Sequence, residues 1–214
     1  MQQLTASQGS VQTKLTNFVL EIPMFKLVIK SVSFLLILTC IAGSALANTD
    51  ALTAESFDCV RDMTPVRGFY VDNVNGDLEA TLAVAESPTG GVYPPGSVVQ
   101  LVPTEAMVKR DSGFNPATKD WEFFEFDVSS EGTAIRGRGF ADVVNRFGGN
   151  CFACHLQARP EWDMICEQGH GCDPIPLTQT MLKALQKTDP RCEPIELSTE
   201  EAAALKALMG STGG

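Results

Sequence analysis

The sequence lacks internal repeats, segments of low complexity and an apolar run long enough to span a membrane. Among its 214 residues no unit of 20–50 residues recurs, which excludes solenoids and propellers. Its main apolar run, around residues 32–42, is shorter than the roughly 20 residues that a membrane-spanning helix needs. With 44% hydrophobic and 20% charged residues, the composition indicates a globular protein with an apolar core.

The apolar run belongs to a pattern typical of a secretory signal peptide. Residues 24–47 begin with lysines at positions 26 and 30, continue with apolar residues and end in Ala-Leu-Ala. We predict cleavage after Ala47 and export to the periplasm. Residues 1–23 are then an N-terminal extension or a mis-assigned start, and an uncleaved anchor is the alternative.

Positive charge is scarce in this chain. Against 26 Asp and Glu stand 16 Lys and Arg, for a net charge of −10. Removal of residues 1–47 takes away three lysines and one glutamate, so the mature charge becomes −12. So acidic a protein repels nucleic acid, and we expect no nucleic-acid partner. The acidic surface is either a solvated face or a docking surface for a basic, soluble redox partner.

Segment 150–172 contains four of the seven cysteines and both histidines. Its CFACH sequence places Cys151, Cys154 and His155 in a C-x-x-C-H pattern. At this spacing two thiols form thioethers with one haem, and the histidine binds the iron. Export removes Cys40 and leaves an even number of cysteines, which in an oxidising compartment favours full pairing. A haem would leave four for two disulfides: Cys59, Cys166, Cys172 and Cys192.

Two other interpretations of CFACH are open. A zinc site could combine Cys151 and Cys154 with Cys166 and either Cys172 or His170, although this spacing is irregular and zinc–thiolate sites are uncommon outside the cytosol. A disulfide within the motif is the second, although no thioredoxin-like βαβ pattern surrounds it. We predict one covalent haem c per chain.

The distal side of the iron has few candidate ligands. His170 lies between two glycines beside Cys172, which predicts a surface loop closed by a disulfide between Cys166 and Cys172. Methionines more often fill cores than bind iron. We therefore predict an open distal position that takes a small gaseous, nitrogen-oxide, hydroxylamine or peroxide ligand. The alternative is a periplasmic electron-transfer cytochrome with a sixth ligand.

The order of elements predicts an α+β fold with a mainly antiparallel sheet, strands first and helices last. We predict strands at 66–71, 97–102, 105–111 and 120–128, with 132–139 pairing with the last. In the strand at 120–128, Phe124, Phe126 and Val128 should share one face, with Trp121 and Phe123 on the other.

Helical patterns are predicted at 51–63, 140–147, CFACH, 178–187 and from the capping box at Ser198 to about residue 209. The domain organisation that follows is a haem domain over residues 48–172 and a disulfide-tethered helical extension over residues 173–214.

Five segments, in this order, resemble the cytochrome P-460 family and its relatives, the beta-sheet cytochromes c-prime. They are VRGFYVDN, YPPGSVV, EAMVKRDSGF, DWEFFEFDV and CFACHLQARPEWD, between residues 66 and 163. All c-type cytochromes share CxxCH, so the VK-x-D and W-x-F-F-x-F-x-V patterns carry the specificity. The resemblance implies a five-coordinate haem c and hydroxylamine oxidation, nitric oxide binding or peroxidase-like activity. Family members are often dimers, which makes a homodimer an expectation.

The resemblance also implies two distal residues. Arg67 matches a distal arginine, and Glu105 falls where hydroxylamine-oxidising members have a carboxylate. A carboxylate could remove protons from a bound ligand, and a guanidinium could stabilise a bound oxyanion. The alternatives are a surface charge for Arg67 and a pair with Lys109 for Glu105. Where such members have a lysine cross-linked to the porphyrin, this chain has Leu101, which argues against hydroxylamine oxidation and leaves open whether the protein is an enzyme.

Overall fold

A computed structural model describes residues 52–211, and their central element is a six-stranded antiparallel sheet. Each strand pairs with the next along the chain, so the sheet is a meander: β1 Thr64–Val66, β2 Phe69–Asn73, β3 Ser97–Val102, β4 Glu105–Lys109, β5 Trp121–Ser129 and β6 Gly132–Gly139. The α-helices are α1 Leu78–Ala85, α2 Cys151–His155, α3 Gln179–Lys187 and α4 Thr199–Ser211. The predicted α+β class is confirmed.

The predicted signal peptide at 24–47 and the extension at 1–23 lie outside the described residues. Within residues 52–211, none of the helices has the length and apolar character that crossing a membrane requires. The two disulfides in this part of the chain are compatible with export.

Both faces of the sheet are buried at β5, as its sequence predicts. Trp121 and Phe123 pack on the face that also contacts α1 and the CFACH helix, which we call the motif face. Phe124 and Phe126 pack on the opposite face against residues 52–57, which we call the N-terminal face. Apolar residues on both sides of one strand therefore follow from its central position between two layers.

Four segments differ from the prediction. Instead of the helix predicted at 51–63, the described residues 52–63 contain two short 3-10 turns, Ala54–Ser56 and Val60–Asp62. Arg67 is in the turn between β1 and β2, with φ of 53°, rather than in a strand. Helix α1 is not predicted by the sequence pattern. It begins at Asp77, whose side chain accepts a hydrogen bond from the backbone N–H of Ala80 at 3.3 Å.

Segment 140–147 is an irregular loop rather than the predicted helix. The backbone N–H of Arg146 donates to a carboxylate oxygen of Glu125 at 3.2 Å, and that of Asn145 donates to the carbonyl of Gly149 at 2.9 Å. These donors serve tertiary and turn contacts instead of an i→i−4 ladder, so the helical pattern is overridden.

The C-terminal segment is fixed to the sheet by side chains and by one disulfide. Gln186 in α3 donates to the carbonyls of Gly68 at 2.9 Å and Leu101 at 2.8 Å. Cys192 is bonded to Cys59, and the predicted bond between Cys166 and Cys172 is present. The capping box that starts α4 is also confirmed, with Ser198 and Glu201 bonded reciprocally at 2.8 and 3.1 Å.

The two disulfides should differ in their effect on stability. Cys59–Cys192 spans 133 residues and Cys166–Cys172 spans 6. In the chain-entropy treatment, loss of the first costs about 5 kcal/mol and loss of the second about 2 kcal/mol. We expect Cys59→Ala with Cys192→Ala to lower the free energy of unfolding in guanidinium by more than Cys166→Ala with Cys172→Ala. Equal decreases in the free energy of unfolding for the two double variants would contradict this prediction.

Candidate functional site

The CFACH motif forms a single helical turn, α2, whose start is fixed by three hydrogen bonds. The side chain of Asn150 accepts a bond from the backbone of Ala153 at 2.8 Å and donates to the carbonyl of Ala141 at 2.8 Å. The backbone N–H of Cys151 donates to the carbonyl of Val143 at 3.1 Å. Residues three apart lie on the same side of a helix, so the turn presents the thiols of Cys151 and Cys154 together.

Both thiols of the motif are free and half-buried, while the other four cysteines of residues 52–211 are paired. Burial, with the charges of Glu105 and Glu125, raises the pKa of Cys151 to about 12. Burial also raises the pKa of Cys154. Neutral thiols of this kind are poor nucleophiles and poor participants in disulfide exchange.

The two alternative interpretations of the motif do not fit this arrangement. Cys151 and Cys154 are not bonded to each other. The zinc interpretation requires Cys166, which is bonded to Cys172. In the described part of the chain, no group of three or more His, Cys, Asp and Glu side chains is placed to hold a metal ion.

His155 is held by the segment that follows the helix. Its Nδ1 lies 2.7 Å from the carbonyl oxygen of Met164, and its ring packs against Phe123 with centroids 5.5 Å apart. Burial lowers the pKa of His155, which favours the neutral ring. A carbonyl oxygen can only accept, so Nδ1 carries the proton and Nε2 retains the lone pair that a metal requires.

The position of the Met164 carbonyl depends on a buried ion pair. Asp163 and Met164 both have left-handed backbones, with φ of 48° and 69°, a conformation that such residues rarely adopt without support. Lys109 Nζ lies 3.0 and 2.8 Å from the two carboxylate oxygens of Asp163. The indole of Trp121 donates to the carbonyl of Asp163 at 2.7 Å. The sheet thereby fixes the residue that precedes the partner of His155.

Glu105 lies beside the motif, at the start of β4. It is opposite Glu125 in the β4–β5 ladder, and its charge acts on both motif thiols. Burial and the charge of Glu125 raise the pKa of Glu105 to about 7, against the opposing effects of Arg146, a hydrogen bond from Asn145, and Arg136. The alternative pairing with Lys109 is wrong, because that ammonium is bonded to Asp163.

Arg67 lies in a different network. Its Nε donates to Glu167 at 2.7 Å and its Nη2 to the carbonyl of Ala85 at 2.7 Å. Glu105 interacts instead with Glu125, Arg146 and Asn145. The structure thus does not bring together the two residues that the resemblance assigns to one distal pocket.

The Arg67 network borders a small surface pocket that is also lined by Tyr93, Trp162 and His170. His170 is 8% exposed, its ring stacks on Trp162 at 3.7 Å, and its Nδ1 lies 2.8 Å from the carbonyl of Ile165. The prediction of a surface histidine is therefore wrong. The disulfide closes the loop, as predicted, but the loop folds its histidine inward.

Leu101 is half-buried against the motif-face core, which also contacts Cys151 and Phe152. Lys109 lies on the same face, but its nitrogen is occupied by Asp163 and by the carbonyl of Lys119. Of the methionines, Met107 and Met164 are buried in this core, while Met63 packs against the core of the N-terminal face.

Comparisons of the chain with protein-family models, with curated proteins and with solved structures find no match. The fold and the site therefore define the class by themselves. The protein is an α+β meander that presents a C-x-x-C-H helix, with free thiols and an oriented histidine, on one face of its sheet.

The Lys109–Asp163 pair yields a stability prediction. Lys109→Met leaves a buried carboxylate without its cation, and such losses cost about 3–5 kcal/mol. We expect that decrease in the free energy of unfolding, measured by denaturant titration. The control is Arg159→Met, which removes the exposed pair with Glu161 and should cost less than about 1 kcal/mol. A similar small loss for both variants would contradict the structural role of Lys109.

Proposed function

We propose that the protein is an exported monohaem c-type cytochrome related to cytochrome P-460, with an open iron site for small ligands. The observation that carries this proposal is the state of the cysteines. Four of those in residues 52–211 form two disulfides, and the two left free are those of the C-x-x-C-H helix. Covalent haem attachment requires that these two cysteines stay out of disulfides.

The residues at the motif fit a haem. Cys151 and Cys154 would form the two thioether bonds, and His155 would bind the iron through Nε2. When bound, the haem supplies an iron centre that takes up small ligands and exchanges electrons. The hydrogen bond from His155 Nδ1 to the Met164 carbonyl places the proton on Nδ1. The lone pair of Nε2 is then available to the iron, which matches this ligand set.

The protein's own residues have separable tasks in this proposal. The Met164 carbonyl fixes the tautomer of His155 and increases its basicity as a ligand. The aromatic ring of Phe123, itself 1% exposed, packs against the His155 ring and covers that side of it. Glu105, with a pKa of about 7, is present as both acid and base at neutral pH and is suited to move a proton to or from a bound ligand.

Leu101 favours gas binding or peroxide chemistry over hydroxylamine oxidation. Its side chain cannot form the nitrogen–carbon bond that a lysine makes with a porphyrin, and Lys109 is held in a buried ion pair. The mature charge of −12 is suited to docking of a basic electron donor or acceptor.

The first test is the absorption spectrum of the mature protein produced with the c-type maturation machinery. We expect a haem c spectrum without a strong red shift of the reduced Soret band, and a high-spin form that changes when nitric oxide is added. Cys151→Ala with Cys154→Ala should lose the covalent haem. Cys166→Ala with Cys172→Ala, the matched control, should retain it. Covalent haem in the motif variant, or none in the wild type, would refute the proposal.

A second test separates an enzyme from a ligand-binding protein. Glu105→Gln removes the proton-transferring group and retains its size. If the protein turns over hydroxylamine or peroxide, we expect kcat to fall by a factor of about 10²–10⁴. The affinity for nitric oxide, measured by spectroscopic titration, should change little because that ligand carries no proton. Unchanged turnover would remove Glu105 from the mechanism.

A further inference from the structure

Two glutamates oppose each other across strands β4 and β5 on the motif face. Glu105 and Glu125 are direct register partners in this antiparallel ladder, and the Cβ atoms of such partners lie about 4.5–5.5 Å apart. Like charges directly opposite each other on neighbouring strands repel, and the charge of Glu125 is one cause of the raised pKa of Glu105. This repulsion is relieved when one of the two carboxyls carries a proton.

Of the two glutamates, Glu125 is the one surrounded by positively charged hydrogen-bond donors. Its side chain is 1% exposed. Its Oε1 accepts bonds from Arg136 at 2.8 Å, from Arg146 Nε at 3.0 Å and from the Arg146 backbone at 3.2 Å. Two guanidinium groups and three N–H donors on one oxygen stabilise the ionised form.

The second oxygen of Glu125 is the unusual one. Within residues 52–211 its Oε2 is buried and has no hydrogen-bond partner. A buried acceptor without a donor lowers the stability of the fold, and lowers it more when the acceptor is charged. The missing donor can be the O–H of a protonated carboxyl, and Glu105 is the carboxyl opposite.

The loop that leads into the CFACH helix holds both glutamates. Asn145 hydrogen-bonds to Glu105, while the next residue, Arg146, bonds to Glu125. Two residues before Asn145, the carbonyl of Val143 accepts a hydrogen bond from the N–H of Cys151. The glutamate pair and the first haem-attaching cysteine are thus fixed by the same short loop.

We infer that Glu105 and Glu125 share a single proton, with Glu105 as the acid and Glu125 as its charged acceptor. Glu125 is then a positioning residue, which acts on a bound ligand only through Glu105. This inference rests on the proposed haem function. When Glu105 gives its proton to a ligand, the pair is left with two negative charges, and uptake of one proton from solvent restores the original state.

The charged and titratable groups that face Glu105 are Glu125, Arg136, Arg146, Cys151 and Cys154. Both sulfurs are uncharged: burial raises the pKa of each free thiol, and in the haem-loaded protein the proposed thioethers do not titrate. Replacement of Glu125 by glutamine removes the one negative charge of this set and leaves both arginines. Such a change lowers the pKa of Glu105.

The experiment is an infrared titration of carboxyl groups in the haem-loaded mature protein. In the wild type we expect a protonated carboxyl that is lost with a midpoint at about pH 7 and is missing from Glu105→Gln. In Glu125→Gln its midpoint should fall by at least about one pH unit, a tenfold loss of proton affinity. An unchanged midpoint in that variant, or no such group in the wild type, would overturn the inference.

The matched control is Glu122→Gln. Glu122 lies on the same strand, is 4% exposed and is bonded to Arg138 at 2.8 Å, but it faces the N-terminal side of the sheet. We expect this variant to leave the Glu105 midpoint unchanged. If Glu122→Gln lowers the midpoint as much as Glu125→Gln, the effect is general and the inference fails.

Should Glu125→Gln not fold, the pH dependence of unfolding of Glu105→Gln decides. Folding raises the pKa of Glu105 from 4.5 to about 7, so its stabilising contribution is complete below pH 4.5 and is lost as pH rises through 7. We expect the wild type to lose stability between pH 5 and 8 relative to Glu105→Gln, and parallel curves would overturn the inference. The absorption spectrum of the same samples shows separately whether haem is bound. A sample without haem would refute the proposed function, while the carboxyl titration would still test the glutamate pair.

Discussion

The buried ion pair between Lys109 and Asp163 is the contact on which the rest of the site depends. Asp163 follows the CFACH helix by eight residues, and its carboxylate is bonded to Lys109 on the sheet at 2.8 Å. This pair, with the indole of Trp121, stabilises two successive left-handed residues. Without them the carbonyl of Met164 would not lie 2.7 Å from the ring of His155, and the histidine would not be fixed in one tautomer.

Three cross-strand pairs of β4 and β5 line the motif face in order. Lys109 is opposite Trp121, Met107 is opposite Phe123, and Glu105 is opposite Glu125. The first pair holds Asp163, the second packs beneath the histidine, and the third places two carboxylates beside the thiols. Because side chains alternate along a strand, one register fixes all three pairs, and a slip by one residue would replace this set by residues of the N-terminal face such as Ala106, Val108 and Phe124.

Cysteine pairing divides the chain into a scaffold and a site. Cys59–Cys192 joins the two ends of the described chain across 133 residues, while Cys166–Cys172 closes the loop that buries His170. The thiols that remain are on the one helix with an adjacent histidine, and their high proton affinity protects them from exchange with the others. Two disulfides and two free thiols therefore coexist in the same fold.

The sequence by itself determined the fold class, the alternation of β5, the capping box at Ser198 and the short helix at C-x-x-C-H. Each of these is expressed by residues a few positions apart, so the local pattern is sufficient. The tertiary structure alone decided that Arg67 pairs with Glu167, 100 residues away, that Met164 is the partner of His155, and that segment 140–147 is a loop. Such contacts depend on which surfaces the folded sheet brings together, and no periodicity in the chain encodes them.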